Sequence, residues 1–168
     1  MERNPHRKAA MESSSNHDLV YLDYNATTPI DSKVADVMET LLRSVHGNPS
    51  SSHVQGRAAR EVIDRAREQA ASLLGCGPDN IIFTSGGTES NNHAIIGSAT
   101  AGAARGRHIV TTAIEHPAVT EVCRHLESRG FHTTYVGVDR RGRVDADEVA
   151  AAFTDETVLV SVMHANNE

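Results

Sequence analysis

The sequence has few cysteines and no long apolar stretch, and each shortage excludes a class of protein. Cys76 and Cys123 are the two cysteines, and neither belongs to a C-x-x-C pair. This argues against a disulfide framework and against a zinc or iron–sulfur site. We expect both thiols to be packed small side chains in a reducing compartment, the cytoplasm. No stretch approaches the roughly 20 apolar residues that cross a bilayer, so no membrane span is expected.

Charge and histidine content exclude two further classes. The formal net charge is −6, and acidic and basic residues are interspersed, so no surface for nucleic acid is expected. The ten histidines form neither an H-x-x-x-H pair nor a cluster with cysteine. No metal site is therefore predicted.

The chain divides into a polar beginning and one regular domain. Residues 1–19 lack the apolar core of a secretion signal, and we interpret them as a disordered leader. From residue 20 to 168, strand-like and helix-like patterns alternate. We predict strands at 20–22, 81–84, 109–114, 133–138 and 157–163, and helices at 34–45, 53–74, after Gly87, after Pro117 and after Asp145. Such alternation predicts an α/β fold, a mostly parallel sheet flanked by helices.

Polar residues follow three of the predicted strands. They occupy positions 85–90, 115–117 and 164–168, whereas the strand that ends near residue 138 is followed by less useful groups. Ligands of open parallel sheets bind beyond the carboxyl ends of the strands. These three segments are therefore the candidate site.

The segment 85–88 has the properties of a phosphate cradle. Gly86 and Gly87 allow backbone N–H groups to approach an anion, Thr88 adds a hydroxyl, and the following helix presents its positive end. The alternative is a plain strand-to-helix turn with Ser85 as the cap. The segment matches neither G-x-x-x-x-G-K-[ST] nor G-x-G-x-x-G, so nucleotide binding is not indicated.

His116 and Asn167 each have a functional and a structural interpretation. Imidazole at the end of a strand stacks on a flat ring and exchanges protons near neutral pH. Alternatively, His116 caps the helix that Pro117 begins. Asn167 is suited to hydrogen bonding at the same edge, or it is a turn residue.

Taken together, five segments resemble the cysteine desulfurases and the related selenocysteine lyases, within the class V aminotransferase group. The resemblance runs from about residue 20 to residue 168, in the order of the family. The segments are YLDYNATTP (21–29), GNPSSSH (47–53), FTSGGTESNN (83–92), TAIEHPAV (112–119) and VSVMHANNE (160–168).

The resemblance implies the large domain of fold type I, with pyridoxal 5'-phosphate (PLP) as the cofactor. It implies that Gly87 and Thr88 bind the PLP phosphate. His116 would stack on the pyridine ring and assist proton transfer, so it is the candidate catalytic residue. Asn167 would lie beside the ring's 3-oxygen and the substrate carboxylate. The family form SGATES has alanine where this chain has Gly87, and a backbone cradle tolerates that difference.

Three further residues, Asn25, Ala26 and Asn48, belong to matched loops near the entrance of the family's active site. The implied reaction converts cysteine to alanine and leaves the sulfur as an enzyme persulfide, for iron–sulfur cluster or thio-cofactor synthesis. The implied partners are a second copy of the enzyme and a sulfur-acceptor protein. Selenocysteine is the alternative substrate. Neither Cys76 nor Cys123 occupies the family's nucleophile position.

The family's PLP-bearing lysine, its acidic partner of the ring nitrogen, its reactive cysteine and its carboxylate-binding arginine are all expected beyond residue 168. The lysines present, Lys8 and Lys33, do not match the PLP lysine. We therefore expect an N-terminal fragment that is inactive alone. The alternatives are a non-catalytic product that pairs with an intact subunit, and a separate module for phosphate ligands.

Overall fold

A computed structural model describes residues 20–167 as helices that accompany a small sheet. The elements are α1 (Ser32–Ser44), α2 (Val54–Leu74), a 3-10 turn (Pro78–Asn80), α3 (Gly87–Gly102), β1 (His108–Thr112), α4 (Pro117–Glu127), β2 (His132–Val136), α5 (Ala146–Ala151) and β3 (Thr157–Ser161). None of the described helices is long and apolar enough to cross a membrane. The predicted leader, 1–19, lies outside the described residues.

The sheet is parallel, as predicted, with the strand order β2-β1-β3. All five residues of β1 are buried, because β1 has a strand on each side and α3 and α4 pack on the sheet. The apolar core joins this strand to those two helices. Its members are Ile95, Ala99, Ile109, Val119, Val122, Cys123 and Leu126.

The helix ends follow the local chemistry of the sequence. Asp31 and Asp145 cap α1 and α5 by accepting hydrogen bonds of 2.8 Å from Lys33 N and Asp147 N. Gly75 ends α2 in the left-handed region, with φ 68°, as glycine at this position commonly does. The predicted helix start after Asp145 and the predicted helix end at residue 74 are thereby confirmed.

Two predicted strands are absent from the described part of the chain. Residues 20–22 form no ladder, and Val20 and Leu22 are 74% and 84% exposed. Residues 81–84 are not a strand either, although Ile81 has the extended angles φ −95° and ψ 123°. A strand needs a hydrogen-bonding neighbour as well as an apolar sequence. Neither segment has one among residues 20–167.

The cysteines differ from each other. Cys123 is completely buried in the core, as expected, whereas Cys76 is exposed just after α2. The expectation that Cys76 is a packed side chain is therefore wrong. Residue 76 follows the end of a helix whose last apolar residues, Leu73 and Leu74, are themselves exposed.

Candidate functional site

The turn before α3 leaves the start of that helix open. Gly86 is the N-cap residue and has no side chain to accept a hydrogen bond. Its angles, φ 158° and ψ −178°, are rarely adopted by residues with a Cβ. Ser85 is therefore not the cap, contrary to the structural alternative. Its N–H and its hydroxyl both donate to Glu89 Oε2, each at 2.6 Å.

The open helix start is suited to an anion. The first N–H groups of a helix lack partners within the helix and carry partial positive charge. A Cβ at Gly87 would meet no atom within 4 Å, and Thr88 is exposed. Glu89 in the same turn is directed back to Ser85, whose hydroxyl and N–H lower the pKa of the Glu89 carboxyl. This carboxylate therefore has its own donors and leaves the N–H groups of Gly87 and Thr88 to a ligand.

His116 is the N-cap residue of α4, and its ring is exposed. Its Nδ1 accepts a hydrogen bond of 3.0 Å from Ala118 N. An acceptor at Nδ1 places the proton of the neutral ring on Nε2. The helix-cap interpretation is thus correct for Nδ1, while Nε2 and the ring face remain available for another role.

Thr88 and His116 line one cavity of about 380 Å³ between the starts of α3 and α4. From there the cavity continues along both helices. Residues four positions apart line it, because they share a helix face. Its walls on α3 are Thr88, Asn92 and Ile96, and on α4 they are His116, Pro117, Ala118, Glu121, Val122 and His125. Asn92 Nδ2 also donates to Thr88 O at 2.7 Å.

A second group of contacts joins the ends of β1 and β3. Glu115 Oε1 accepts from Thr112 Oγ1 and from Met163 N, each at 2.8 Å. Asn166 Nδ2 donates to Ile114 O at 2.7 Å. The segment after β3 is therefore held against the residues that precede His116.

Asn167 lies at this same edge but does not line the cavity. Its carbonyl oxygen accepts a hydrogen bond of 3.1 Å from Asn25 Nδ2. The turn that contains Asn25 and Ala26 is thus attached to the candidate site. Asn48 makes a local turn instead, since its Oδ1 accepts from Ser50 N at 2.9 Å.

Sequence reasoning missed Glu115 and Asn166 as organising residues. Both lie in the segments selected after the strands, but a role was assigned only to their neighbours, His116 and Asn167. The sequence signal for Glu115 is an acidic residue directly after the predicted strand 109–114. The structure leaves this residue 9% exposed, and a buried carboxylate needs hydrogen-bond donors. The cavity residues Asn92, Glu121 and His125 could have been found by the four-residue spacing from Thr88 and Pro117.

Comparison with known proteins decides the family. The profile of the family described as aminotransferase class-V matches residues 20–168. The chain belongs to the aminotransferase class-V family. Among curated relatives, it is 52% identical over 149 residues to the cysteine desulfurase IscS of Dictyoglomus turgidum. It is 49% identical over 152 residues to that of Salmonella paratyphi B. Each alignment covers 89% of this chain and 38% of the relative.

Two solved structures have the same fold as this chain. A "NifS-like protein" matches with a TM-score of 0.84 and 44% identity, over 89% of this chain and 41% of the other. The structure described as "SspA in complex with cysteine" matches with a TM-score of 0.82 and 38% identity, over 88% and 43%. The predicted α/β class and the resemblance to cysteine desulfurases are both confirmed. The chain spans 38% of the length of these curated relatives.

Proposed function

We propose that this chain carries the phosphate- and ring-binding part of a PLP-dependent cysteine desulfurase. The observation that carries the proposal is that Thr88 and His116 line one cavity beside the open start of α3. The names of the relatives add support, because those with 49–52% identity are cysteine desulfurases. One structural neighbour is described in complex with cysteine, which favours cysteine over selenocysteine as the substrate.

The residues present fit a phosphorylated pyridine. The phosphate would be held by the N–H groups at the start of α3, where Gly87 leaves open space, and by the hydroxyl of Thr88. The exposed ring of His116 would stack on the pyridine. When bound, PLP withdraws electrons from the substrate's Cα and makes its proton easier to remove.

His116 would hold and move a proton at Nε2. The hydrogen bond from Ala118 N to Nδ1 fixes the ring orientation, so Nε2 is the nitrogen left to face a ligand. An imidazole is suited to both donating and accepting a proton. Asn167, at the same edge, would bind the substrate carboxylate and the ring oxygen through its exposed side-chain amide.

Neither described thiol is assigned the sulfur-accepting role. Burial raises the pKa of the Cys123 thiol, with a further contribution from Glu127, and the thiolate is the nucleophile in such chemistry. The persulfide would form on a cysteine outside this chain. In the whole protein we propose a homodimer that passes sulfur to an acceptor protein in the cytoplasm for iron–sulfur cluster assembly.

Cofactor binding by this chain is the first arm of the test. We expect PLP to bind, measured by equilibrium dialysis, and Thr88→Val and His116→Ala each to weaken it at least about tenfold. Thr88→Val removes a hydrogen bond to a charged group, worth about 1.5–3 kcal/mol, and His116→Ala removes a stacking contact, worth about 1–3 kcal/mol. A difference of about 1.4 kcal/mol corresponds to a factor of ten. Thr100→Val, at the far end of α3, is the control and should bind as the wild type does.

Activity is the second arm. In a chimera, residues 20–168 replace the matching part of the Dictyoglomus turgidum enzyme. We expect the chimera to convert cysteine to alanine with release of sulfide under reducing conditions, and His116→Ala to slow it by about 10²–10⁴-fold. The isolated chain should release no sulfide. An inactive chimera that folds and binds PLP, or a His116→Ala chimera with full activity, would contradict the proposal.

A further inference from the structure

We propose that Glu115 is a positioning residue that fixes His116 and the segment 163–167 relative to each other. Glu115 is 9% exposed and lies at the carboxyl end of the sheet. It directly precedes the candidate catalytic histidine in the sequence. The consequence for PLP depends on the function proposed above, whereas the structural linkage does not.

The linkage begins where the strand ladder stops. The last paired residues of β1 and β3 are Thr111 and Ser161. Beyond them, Glu115 Oε1 accepts from Thr112 Oγ1 and from Met163 N, both at 2.8 Å. One carboxylate oxygen thus continues the connection between the two strands after the backbone pairing has ended.

A second hydrogen bond closes the arrangement. Asn166 Nδ2 donates to Ile114 O at 2.7 Å. The segment after β3 is therefore attached both to Glu115 and to the residue that precedes it. Next along the chain, the Asn167 carbonyl accepts from Asn25. The hydrogen bonds at Glu115, Ile114 and Asn167 therefore connect the residues that precede His116 with the segment after β3 and with the turn at Asn25.

Glu115 does not act on a ligand directly. It is absent from the residues that line the cavity of Thr88 and His116, and its Oε1 is engaged by two donors. The carboxylate is therefore suited to holding a loop, and its effect on the site is exerted through His116 and the 163–167 segment.

The test compares Glu115→Leu, which removes the acceptor, with Glu115→Gln, which keeps an oxygen in the same position. The readouts are hydrogen exchange of the Met163 amide, the ¹⁵N shifts of the His116 ring and PLP affinity by dialysis. We expect Glu115→Leu to speed exchange at Met163 at least tenfold, to change the His116 shifts and to weaken PLP about tenfold. Glu115→Gln should stay within about threefold of the wild type in both exchange and affinity.

Matched controls separate positioning from a general loss of stability. Glu68→Gln, an exposed carboxylate on α2, should change none of the readouts. Thr112→Val removes one donor and keeps the Met163 bond, so a loss of about threefold in PLP affinity is expected. If Glu115→Leu does not fold, wild-type behaviour of Thr112→Val in all readouts overturns the proposal.

Three outcomes are decisive. Unchanged Met163 exchange and PLP affinity in a folded Glu115→Leu variant overturn the positioning role. An equal loss in Glu115→Gln also overturns it, since charge rather than the retained acceptor would then be responsible. A wild-type chain that does not bind PLP contradicts the proposed function alone, because Met163 exchange and the His116 shifts still report the linkage.

Discussion

Two regions of the molecule contain similar amphipathic helices and bury them differently. In the sheet region, residues 87–161, helix α4 buries five of its residues, Ala118, Val119, Val122, Cys123 and Leu126. In the helical arm, residues 30–83, helix α1 buries none. Val37 and Leu42 of α1 are 59% and 81% exposed, and Leu73 of α2 is 86% exposed.

The difference shows that an apolar face predicts a helix but does not predict burial. Both helices have apolar residues at helical spacing, which indicates a face that packs on something. Helix α4 packs its apolar face against α3 and the sheet. In the arm, the backbone packs closely on itself at Gly47 and Gly56, since a Cβ at either glycine would collide with the carbonyl oxygen of Gln55 or Ser51.

The largest expected effect tests this contrast with one substitution in each region. Leu126→Ala removes a side chain that is 2% exposed, so we expect the free energy of unfolding to fall by about 2–5 kcal/mol. Leu42→Ala, at 81% exposure, should change it by less than about 0.5 kcal/mol. Urea denaturation measures both. Equal losses would mean that α1 is packed in solution and would remove the distinction between the regions.

An intermediate effect is expected for glycines, with opposite signs in the two regions. Gly75→Ala forces a Cβ onto a residue at φ 68°, and we expect a loss of about 1 kcal/mol. Gly97→Ala lies inside α3, where a Cβ meets no atom within 4 Å, and should gain about 0.5–1 kcal/mol. Nothing lies within 4 Å of a Cβ at Gly75 either, so the backbone angle alone separates the two. A gain at Gly75 would show that α2 does not end there in solution.

The same contrast explains how much of the fold was predictable. The helix positions, the parallel sheet and the helix that starts after Asp145 follow from local sequence patterns, and the structure contains all of them. The strands predicted at 20–22 and 81–84 are wrong. An apolar run such as IIF indicates a preference for extended backbone, but it does not indicate whether a second strand lies beside it to pair with. Ile82 and Phe83 are accordingly 64% and 51% exposed.

The candidate site was predictable to a similar degree. The rule that ligands bind at the carboxyl ends of parallel strands selected Thr88 and His116, and the structure places both on one cavity. The rule could not reveal that Glu115 connects β1 to Met163, because that contact joins residues 48 apart in the sequence. Nor does strand position specify which way the Asn167 side chain lies.

The smallest expected effect concerns a polar cluster at the opposite end of the sheet. His108 is 1% exposed, and its ring nitrogens lie 2.8 Å from Thr157 Oγ1 and 2.9 Å from Thr134 Oγ1. Burial lowers the pKa of His108 below its ordinary value, the neighbouring His132 lowers it further, and Glu156 opposes both. The hydroxyls of Thr134 and Thr157 therefore connect β2 and β3 through the His108 imidazole.

The sign of the pH dependence follows from this depressed pKa. Between the folded and unfolded pKa values the unfolded chain binds the extra proton, so stability is fully present above the unfolded value of about 6.5. This stability is lost as the pH falls from about 6.5 towards the pKa of His108 in the folded chain.

Thermal unfolding between pH 8 and pH 5 should show a melting temperature that drops on the acid side. His108→Gln should lower it at neutral pH and flatten the acid dependence, whereas His93→Asn, an exposed histidine of α3, should leave the wild-type profile. An unflattened profile in His108→Gln would show that the sheet region owes its acid sensitivity to other groups.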